Sequence, residues 1–279
     1  MKKIVTFIRK KRTLSNRHIR KFMKKVNGKA SVLNMKDSFF TTPSGIGDET
    51  FNVSTARDLM QLMLAASKIE ALNDIWCVKT KQIEINGENS RKLLVSSTLN
   101  SSAVDIAYPI LSGKTGTWGN SCHIAAISNI DNKPIITIVL GAESDENRFK
   151  AINELMNISA QVLKEPTYDV ERACIAYADA AISCSFTDDD FCILFEQNAD
   201  KQFPAASLTK ILTVITALDY IRNSKEFLTI KSCDLINDLH THFQKGDVLS
   251  IHDILYAMLL PSSNQAATAL ARYIGKYFL

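Results

Sequence analysis

The sequence predicts an α+β protein in which one antiparallel sheet is flanked by helices and joined to a helical lobe. Apolar residues recur at helical spacing towards both ends of the chain, whereas strand-like runs separated by short turns occupy the middle. The 279 residues, 46% of them hydrophobic and 22% charged, are enough to bury a sizeable core. One large domain or two modest ones would fit this length.

The first quarter of the chain predicts two amphipathic helices. One covers residues 20–30, and the other covers residues 54–66, where Ser54 and Thr55 form a candidate N-cap. Between the helices, residues 42–48 are dense in turn formers and predict an ordered loop.

The rest of the chain predicts two hairpins and four helices. The four strands are expected over residues 122–130, 134–140, 173–185 and 191–197. Asp131, Asn132 and Lys133 supply the turn of the first hairpin. A helix over residues 146–163 follows that hairpin, and Pro166 prevents its continuation. The last three helices are expected after Ser207, after Ser250 and from Asn264 to about Tyr273.

Positive charge is concentrated at the N-terminus. Eleven lysines and arginines lie within the first 25 residues, and no acidic residue precedes Asp37. We favour a solvated helix face or a basic tail over a patch for nucleic acid or an anionic membrane. The apolar run from Ile4 to Ile8 is cut off by Arg9 and is too short for a secretory signal or a membrane span, so neither is predicted in this chain.

The cysteines and histidines predict no metal site. The six cysteines form no Cys-x-x-Cys pair, so buried free thiols are expected. His240, His242 and His252 lack a ligand spacing with thiols or carboxylates.

Ser207 and Lys210 form a candidate nucleophile and base. They stand three residues apart at the start of a predicted helix, after the helix-breaking Pro204, so their side chains share one face. A serine hydroxyl needs a neighbouring base at neutral pH, and a lysine can serve when burial and nearby positive charge lower its pKa. Alone, the pair also fits a capped helix with an exposed lysine.

Two further strings carry polar groups suited to the same kind of site. Lys114 lies in a predicted strand and can attract a carboxylate of a substrate, and Thr115 can hydrogen-bond to the same carboxylate. Gly116 allows the backbone of the substrate to come close. Ser262 and Asn264 place a hydroxyl and an amide two residues apart at a helix start, where a plain N-cap is the alternative.

Together these strings resemble the serine D-Ala-D-Ala carboxypeptidases, the low-molecular-mass penicillin-binding proteins. The resemblance is carried by Pro204-Ala205-Ala206-Ser207-Leu208-Thr209-Lys210, Leu260-Pro261-Ser262-Ser263-Asn264-Gln265-Ala266-Ala267 and Gly113-Lys114-Thr115-Gly116-Thr117. Further agreement comes from Asn34-Met35-Lys36, Pro43-Ser44-Gly45, Ser54-Thr55-Ala56-Arg57-Asp58 and Val139-Leu140-Gly141-Ala142. The resemblance extends over nearly all of the chain from about Phe22 onward and implies a penicillin-binding-protein or β-lactamase-like fold.

The resemblance implies catalytic roles for four of these residues. Ser207 becomes the acylated nucleophile and Lys210 its base, while Ser262 and Asn264 relay protons and hold the substrate. No metal or organic cofactor is implied.

The same resemblance implies how substrate is bound. Lys114 and Thr115, with Gly116 beside them, bind the terminal carboxylate of a peptidoglycan peptide ending in D-Ala-D-Ala. The backbone NH groups of Ser207 and Thr117 form an oxyanion hole. β-Lactams are the expected inhibitors, and the expected location is the cell envelope, outside the cytoplasmic membrane.

The order of the motifs departs from that of the family, in which Ser-x-x-Lys comes first and Lys-Thr-Gly comes last. After a basic segment of residues 1–21, residues 22–164 match the later part of the family's domain and residues 171–279 its beginning, with residues 165–170 as the linker. The chain is then a circular permutant. Alternatively, each half completes a partner in another domain or chain, as in a domain-swapped oligomer.

Three functions compete. The first is a serine D-Ala-D-Ala carboxypeptidase acting on cell-wall peptides. The second is a β-lactamase, for which class A enzymes use a glutamate after the Ser-x-Asn motif; no glutamate occurs in residues 265–279 or 1–48. The third is a penicillin or peptidoglycan sensor that binds without turnover.

Overall fold

A computed structural model describes residues 2–46, 52–100, 103–165, 167–221, 223 and 226–279, with side chains from residue 17 onward. The helices are α1 (Lys2–Val32), α2 (Ala56–Ser67), α3 (Glu70–Trp76), α4 (Asp145–Lys164), α5 (Thr209–Leu218), α6 (Ile251–Leu259) and α7 (Asn264–Tyr277). Short 3-10 helices cover Thr98–Asn100, Val170–Arg172 and Ala206–Leu208.

The strands form one larger sheet and three short pairs. They are β1 (Val53–Ser54), β2 (Thr80–Ile85), β3 (Arg91–Ser96), β4 (Ile110–Trp118), β5 (Ser121–Ile130), β6 (Lys133–Ala142), β7 (Ala180–Phe186), β8 (Phe191–Gln197), β9 (Phe203–Pro204), β10 (Phe227–Thr229) and β11 (Val248–Ser250). The larger sheet has the order β4-β5-β6-β7-β8 and is antiparallel throughout. The short pairs are β1 with β9, β2 with β3 and β10 with β11.

Helices cover both faces of the larger sheet. Helix α4 packs against strands β5 to β8, and α2 packs against β6 and β7. Alternate residues of β6 enter different cores. Ile136 and Ile138 belong to the core that also contains residues of α5, α6 and α7, whereas Ile135 and Val139 belong to the core beneath α4. The predicted α+β class, with an antiparallel sheet flanked by helices, is therefore confirmed.

Local signals in the sequence set several element boundaries as predicted. Asp131 and Asn132 have φ of +51° and +62°, the left-handed pair that a two-residue hairpin turn requires. Thr55 Oγ1 accepts from the backbone NH of Asp58 at 3.1 Å and caps α2. Helix α4 covers the predicted helix with one more residue at each end.

Strand β7 and helix α7 have other bounds than the sequence predicted, and helix α3 and the hairpin of β2 and β3 were not predicted. Strand β7 begins at Ala180 rather than residue 173, because side chains satisfy the preceding backbone: the NH of Ile175 donates to Gln197 Oε1 at 2.9 Å, and the NH of Ala176 donates to Glu154 Oε2 at 3.0 Å. Helix α7 continues past Tyr273 and ends at Tyr277. Pro166, expected to end α4, lies outside the described residues.

The N-terminal basic residues continue a helix. Helix α1 begins at Lys2 and runs through the boundary expected at residue 21. Within the described residues, no helix combines the length and apolar character needed to cross a membrane. The expectation of buried free thiols holds for Cys122 and Cys184. Cys77, Cys174 and Cys192 are exposed, and Cys233 is half-buried, so the expectation is wrong for these.

Candidate active site

Ser207 and Lys210 face each other where the 3-10 turn runs into α5. The Nζ of Lys210 lies 2.7 Å from Ser207 Oγ. Lys210 is fully buried, whereas Ser207 is partly exposed. Ala206, just before the serine, has a left-handed φ of +46°, a strained conformation that surrounding structure must hold. The predicted pairing of a hydroxyl with a buried amine is therefore present.

Four oxygen atoms surround the amine of Lys210. Besides Ser207 Oγ, they are Asn264 Oδ1 at 2.8 Å, the carbonyl oxygen of Ser44 at 3.0 Å and Ser262 Oγ at 3.3 Å. The amide and carbonyl oxygens accept hydrogen bonds without offering a proton. A neutral amine has two N–H bonds and one lone pair, so donation to Asn264 and Ser44 leaves the lone pair for a hydroxyl proton.

The protonation of Lys210 suits this geometry. Burial lowers the pKa of Lys210 to about 7, although the negative charge of Asp238 opposes the shift. A large fraction of the side chain is therefore neutral near neutral pH and able to accept the proton of Ser207.

The Ser-x-Asn string lies at the start of α7, and its middle residue makes the cap. Ser263 Oγ accepts from the backbone NH of Ala266 at 3.1 Å. Ser262 has a left-handed φ of +73°. Because Ser263 does the capping, Ser262 and Asn264 turn towards Lys210 instead.

The Lys-Thr-Gly string lies in the edge strand β4, beside the serine. A Cβ atom on Gly116 would lie 3.2 Å from the backbone nitrogen of Ser207, so the strand passes directly along the turn that holds Ser207. Lys114 is fully buried and donates to the carbonyl oxygen of Thr115 at 2.9 Å, and Thr115 Oγ1 donates to Thr98 Oγ1 at 2.7 Å. Thr117 is exposed at the end of the strand. All three strings thus meet in one cleft of a single chain.

The two lysines of this cleft affect each other. Burial lowers the pKa of Lys114 well below its usual value, and the positive charges of Lys210 and Arg148 lower it further. The cleft therefore disfavours two ammonium groups at once.

Arg148 braces the end of β4, although sequence reasoning gave it no role. Its Nη1 donates to the carbonyl oxygen of Gly116 at 3.2 Å and to Thr117 Oγ1 at 3.1 Å, and its Nη2 pairs with Asp145. The available signal was an arginine in the first turn of the helix after the β5 and β6 hairpin. The carbonyl of Ser44 was also missed, since a main-chain contact leaves no mark on residue type.

Within the described residues, at the cleft or elsewhere, no three histidine, cysteine, aspartate or glutamate side chains are grouped so that they could hold a metal ion.

Comparison with known proteins agrees with this geometry. A D-alanyl-D-alanine endopeptidase of Escherichia coli is 27% identical over 135 residues, which make up 48% of this chain and 42% of that relative. The match thus spans less than half of the relative's length. No solved structure gives a significant match. The family model described as D-alanyl-D-alanine carboxypeptidase matches residues 18–144 and 174–276. The chain therefore belongs to the D-alanyl-D-alanine carboxypeptidase family.

Proposed function

We propose that this chain is a serine peptidase that cleaves cell-wall peptides ending in D-Ala-D-Ala through an acyl-enzyme at Ser207. The observation that carries the proposal is the 2.7 Å separation between Ser207 Oγ and the Nζ of buried Lys210. Membership of the carboxypeptidase family and the name of the endopeptidase relative support the same reaction class. The preferred activity is removal of the terminal D-alanine.

Acylation starts with neutral Lys210. Its lone pair takes the proton of Ser207 as Oγ attacks the carbonyl carbon of the penultimate D-alanine. The NH groups of Ser207 and Thr117 hold the oxyanion. The C–N bond then breaks, and the departing amine receives the proton from Lys210 through Ser262, whose hydroxyl lies 3.3 Å from Nζ. This releases D-alanine and leaves an ester on Ser207.

Deacylation repeats the proton transfers with water. Lys210 takes a proton from water as the water oxygen attacks the ester carbonyl, and then returns it to Ser207 Oγ as the ester bond breaks. The products are the shortened peptide acid and the free serine. Asn264 keeps the amine oriented throughout, since its Oδ1 accepts from Nζ at 2.8 Å.

Lys114 is the proposed anchor for the substrate's terminal carboxylate. It is fully buried, and no carboxylate lies within ion-pair distance of it in the described part of the chain. A buried ammonium group without a counter-ion is unfavourable. A substrate carboxylate would supply the missing negative charge and help to orient the scissile bond towards Ser207.

We also propose that the chain is a circular permutant with a penicillin-binding-protein-like fold. Strand β6 from the first part pairs with β7 from the second, from Ile135 opposite Ser185 to Leu140 opposite Ala180. Helices α1 and α7 pack together, and Lys21 Nζ donates to the carbonyl oxygen of Leu279 at 2.9 Å. These contacts support a single domain in which the two parts complete one sheet and one cleft. Because the proposed substrate is a cell-wall peptide, we propose that the chain acts in the cell envelope.

The test is covalent labelling by a fluorescent penicillin. We expect a stable adduct on the parent chain, mapped by mass spectrometry to the peptide that contains Ser207, and none on Ser207→Ala. Release of D-alanine from a pentapeptide ending in D-Ala-D-Ala, compared with cleavage of a cross-linked dimer, distinguishes carboxypeptidase from endopeptidase activity. Labelling that persists in Ser207→Ala, or an absence of both label and turnover, would refute the proposal.

A further inference from the structure

Three aspartates are buried in the segment from Ile230 to Asp247, and they differ in whether an arginine pairs with them. Asp234 forms an ion pair with Arg272 at 2.7 Å, and Asp247 forms one with Arg91 at 2.7 Å. Asp238 is also buried, yet within the described residues no lysine or arginine lies within ion-pair distance of it. A buried carboxylate without a cation is costly unless hydrogen bonds hold it.

The hydrogen bonds of Asp238 join its own loop to the Ser-x-Asn turn. From that turn, Ser263 Oγ donates to Oδ2 at 2.6 Å and the NH of Gln265 donates to it at 3.0 Å. From the loop, the NH groups of His240 and Thr241 donate to Oδ1 at 2.9 Å and 3.3 Å. Burial alone would raise the pKa of Asp238, but these bonds outweigh it and lower the pKa, so the carboxylate is charged.

The residue between the two turn contacts is Asn264. Its Nδ2 donates to the carbonyl oxygen of Asn237 at 3.0 Å, which fixes the amide so that Oδ1 faces Lys210. Asp238 therefore holds the residues on both sides of Asn264, and its neighbour Asn237 holds the side chain itself. The orientation of Asn264 towards the amine depends on this loop.

Charge links the same loop to the amine. Asp238 is the charged group that raises the pKa of Lys210, and Lys210 in turn lowers the pKa of Lys114 in β4 and of His240 in the loop. Among these, Asp238 carries the negative charge. Its field favours the protonated form of Lys210 and so opposes the effect of burial.

We propose that Asp238 is a positioning residue of this active site, which holds the Ser-x-Asn turn against Lys210 and balances the positive charge of the cleft. The inference rests on the proposed function, because it assigns Asp238 to the same acylation step. Its distinguishing consequence is electrostatic. A residue that only stabilises the loop would change folding without changing the protonation of Lys210.

The test compares Asp238→Asn with Asp234→Asn, which removes a buried charge four residues earlier in the same segment. Acylation by a fluorescent penicillin is measured against pH. The Nζ resonance of Lys210, assigned by its loss in Lys210→Arg, is titrated by nuclear magnetic resonance. For Asp238→Asn we expect acylation slower by about 10- to 100-fold, as for loss of one or two hydrogen bonds to a charged group. Both midpoints should move to lower pH, and Asp234→Asn should lower thermal stability while leaving both midpoints unchanged.

Each outcome decides one point. Equal Lys210 midpoints in parent and Asp238→Asn, or equal shifts in the two variants, would overturn the role of Asp238. A parent chain that is neither labelled at Ser207 nor able to release D-alanine would overturn the proposed function, whereas the resonance titration still tests Asp238. Where Asp238→Asn fails to fold, Ser263→Ala removes the 2.6 Å contact and keeps the charge. It should slow acylation with an unchanged midpoint, and a parent-like rate would exclude positioning.

Discussion

Gly45 packs directly on Ala206, the residue before the proposed nucleophile. A β carbon at position 45 would overlap the carbonyl group of Ala206. Gly45 has φ of +86° and Ala206 has φ of +46°, so two left-handed residues from distant parts of the chain support each other. The neighbouring Ser44 offers its carbonyl oxygen to Lys210. This contact thus fixes both the serine turn and one partner of the amine.

Replacing Gly45 by alanine should damage both stability and acylation. The left-handed φ alone costs about 1 kcal/mol for a residue with a β carbon, and the overlap with Ala206 adds to that cost. Thermal unfolding and penicillin labelling measure the two effects. Gly119→Ala is the matched control, because Gly119 has φ of +56° and a Cβ atom added there would meet nothing within 4 Å. Equal losses in the two variants would show that the Ala206 contact is unimportant.

The pH dependence of acylation should follow Lys210. Because only the neutral amine accepts the proton of Ser207, the second-order rate constant should rise with pH up to the pKa of about 7 and then level off. Lys210→Arg should lose about 100- to 10,000-fold, since a guanidinium group stays protonated. A second-order rate constant that stays the same between about pH 5 and about pH 8 would exclude Lys210 as the base.

Acid stability should depend on His123. This side chain is fully buried in β5, where its Nδ1 accepts from the NH of Gly141 at 3.0 Å. Burial and then Arg148 lower the pKa of His123 from 6.5 to about 4. Between these two pH values the unfolded chain binds the extra proton, so the free energy of unfolding falls as pH decreases, by up to about 3 kcal/mol. Below about pH 4 both states are protonated and this loss stops.

Denaturant unfolding at several pH values measures this dependence. His123→Asn keeps an acceptor for Gly141 and removes the titrating group, so the slope of stability against pH should decrease in that variant. His252→Asn is the control, since His252 is exposed on α6. If both variants keep the parent's slope, other groups cause the acid sensitivity.

The sequence predicted the site residues where their signals are local. The helix starts that present Lys210 and Asn264, and the strand that presents Lys114, follow from caps, turns and periodicity within a few residues. Asp238 and Arg148 were missed because the contacts that give them a role at the site, to Ser263 and to Gly116, join residues 25 and 32 positions apart on different elements. Such contacts depend on how elements pack, which a single sequence does not encode in any short pattern.

Substrate selection should depend on Lys114. Loss of one charge-assisted contact to the terminal carboxylate costs about 1.5 to 3 kcal/mol of transition-state binding, so Lys114→Ala should lower kcat/KM for peptide acids by about 10- to 150-fold. Peptides with an amidated C-terminus should be poor substrates of the parent and be little affected by the change. Equal damage to acid and amide substrates would rule out recognition of the carboxylate by Lys114.

The order of the motifs predicts how specific activity depends on protein concentration. Lys114 and Ser207 lie in one cleft of one chain, with Gly116 packed along the backbone of Ser207. A circular permutant built in this way should be active as a monomer, with constant specific activity across a dilution series.

If the halves instead complete different molecules, activity requires association and should fall steeply on dilution. Sedimentation at each concentration separates the two cases. A fully active monomer excludes the swapped assembly, and activity confined to a dimer excludes the single-chain permutant. We expect the monomer, because the strands of both parts close one continuous sheet in which no segment is duplicated.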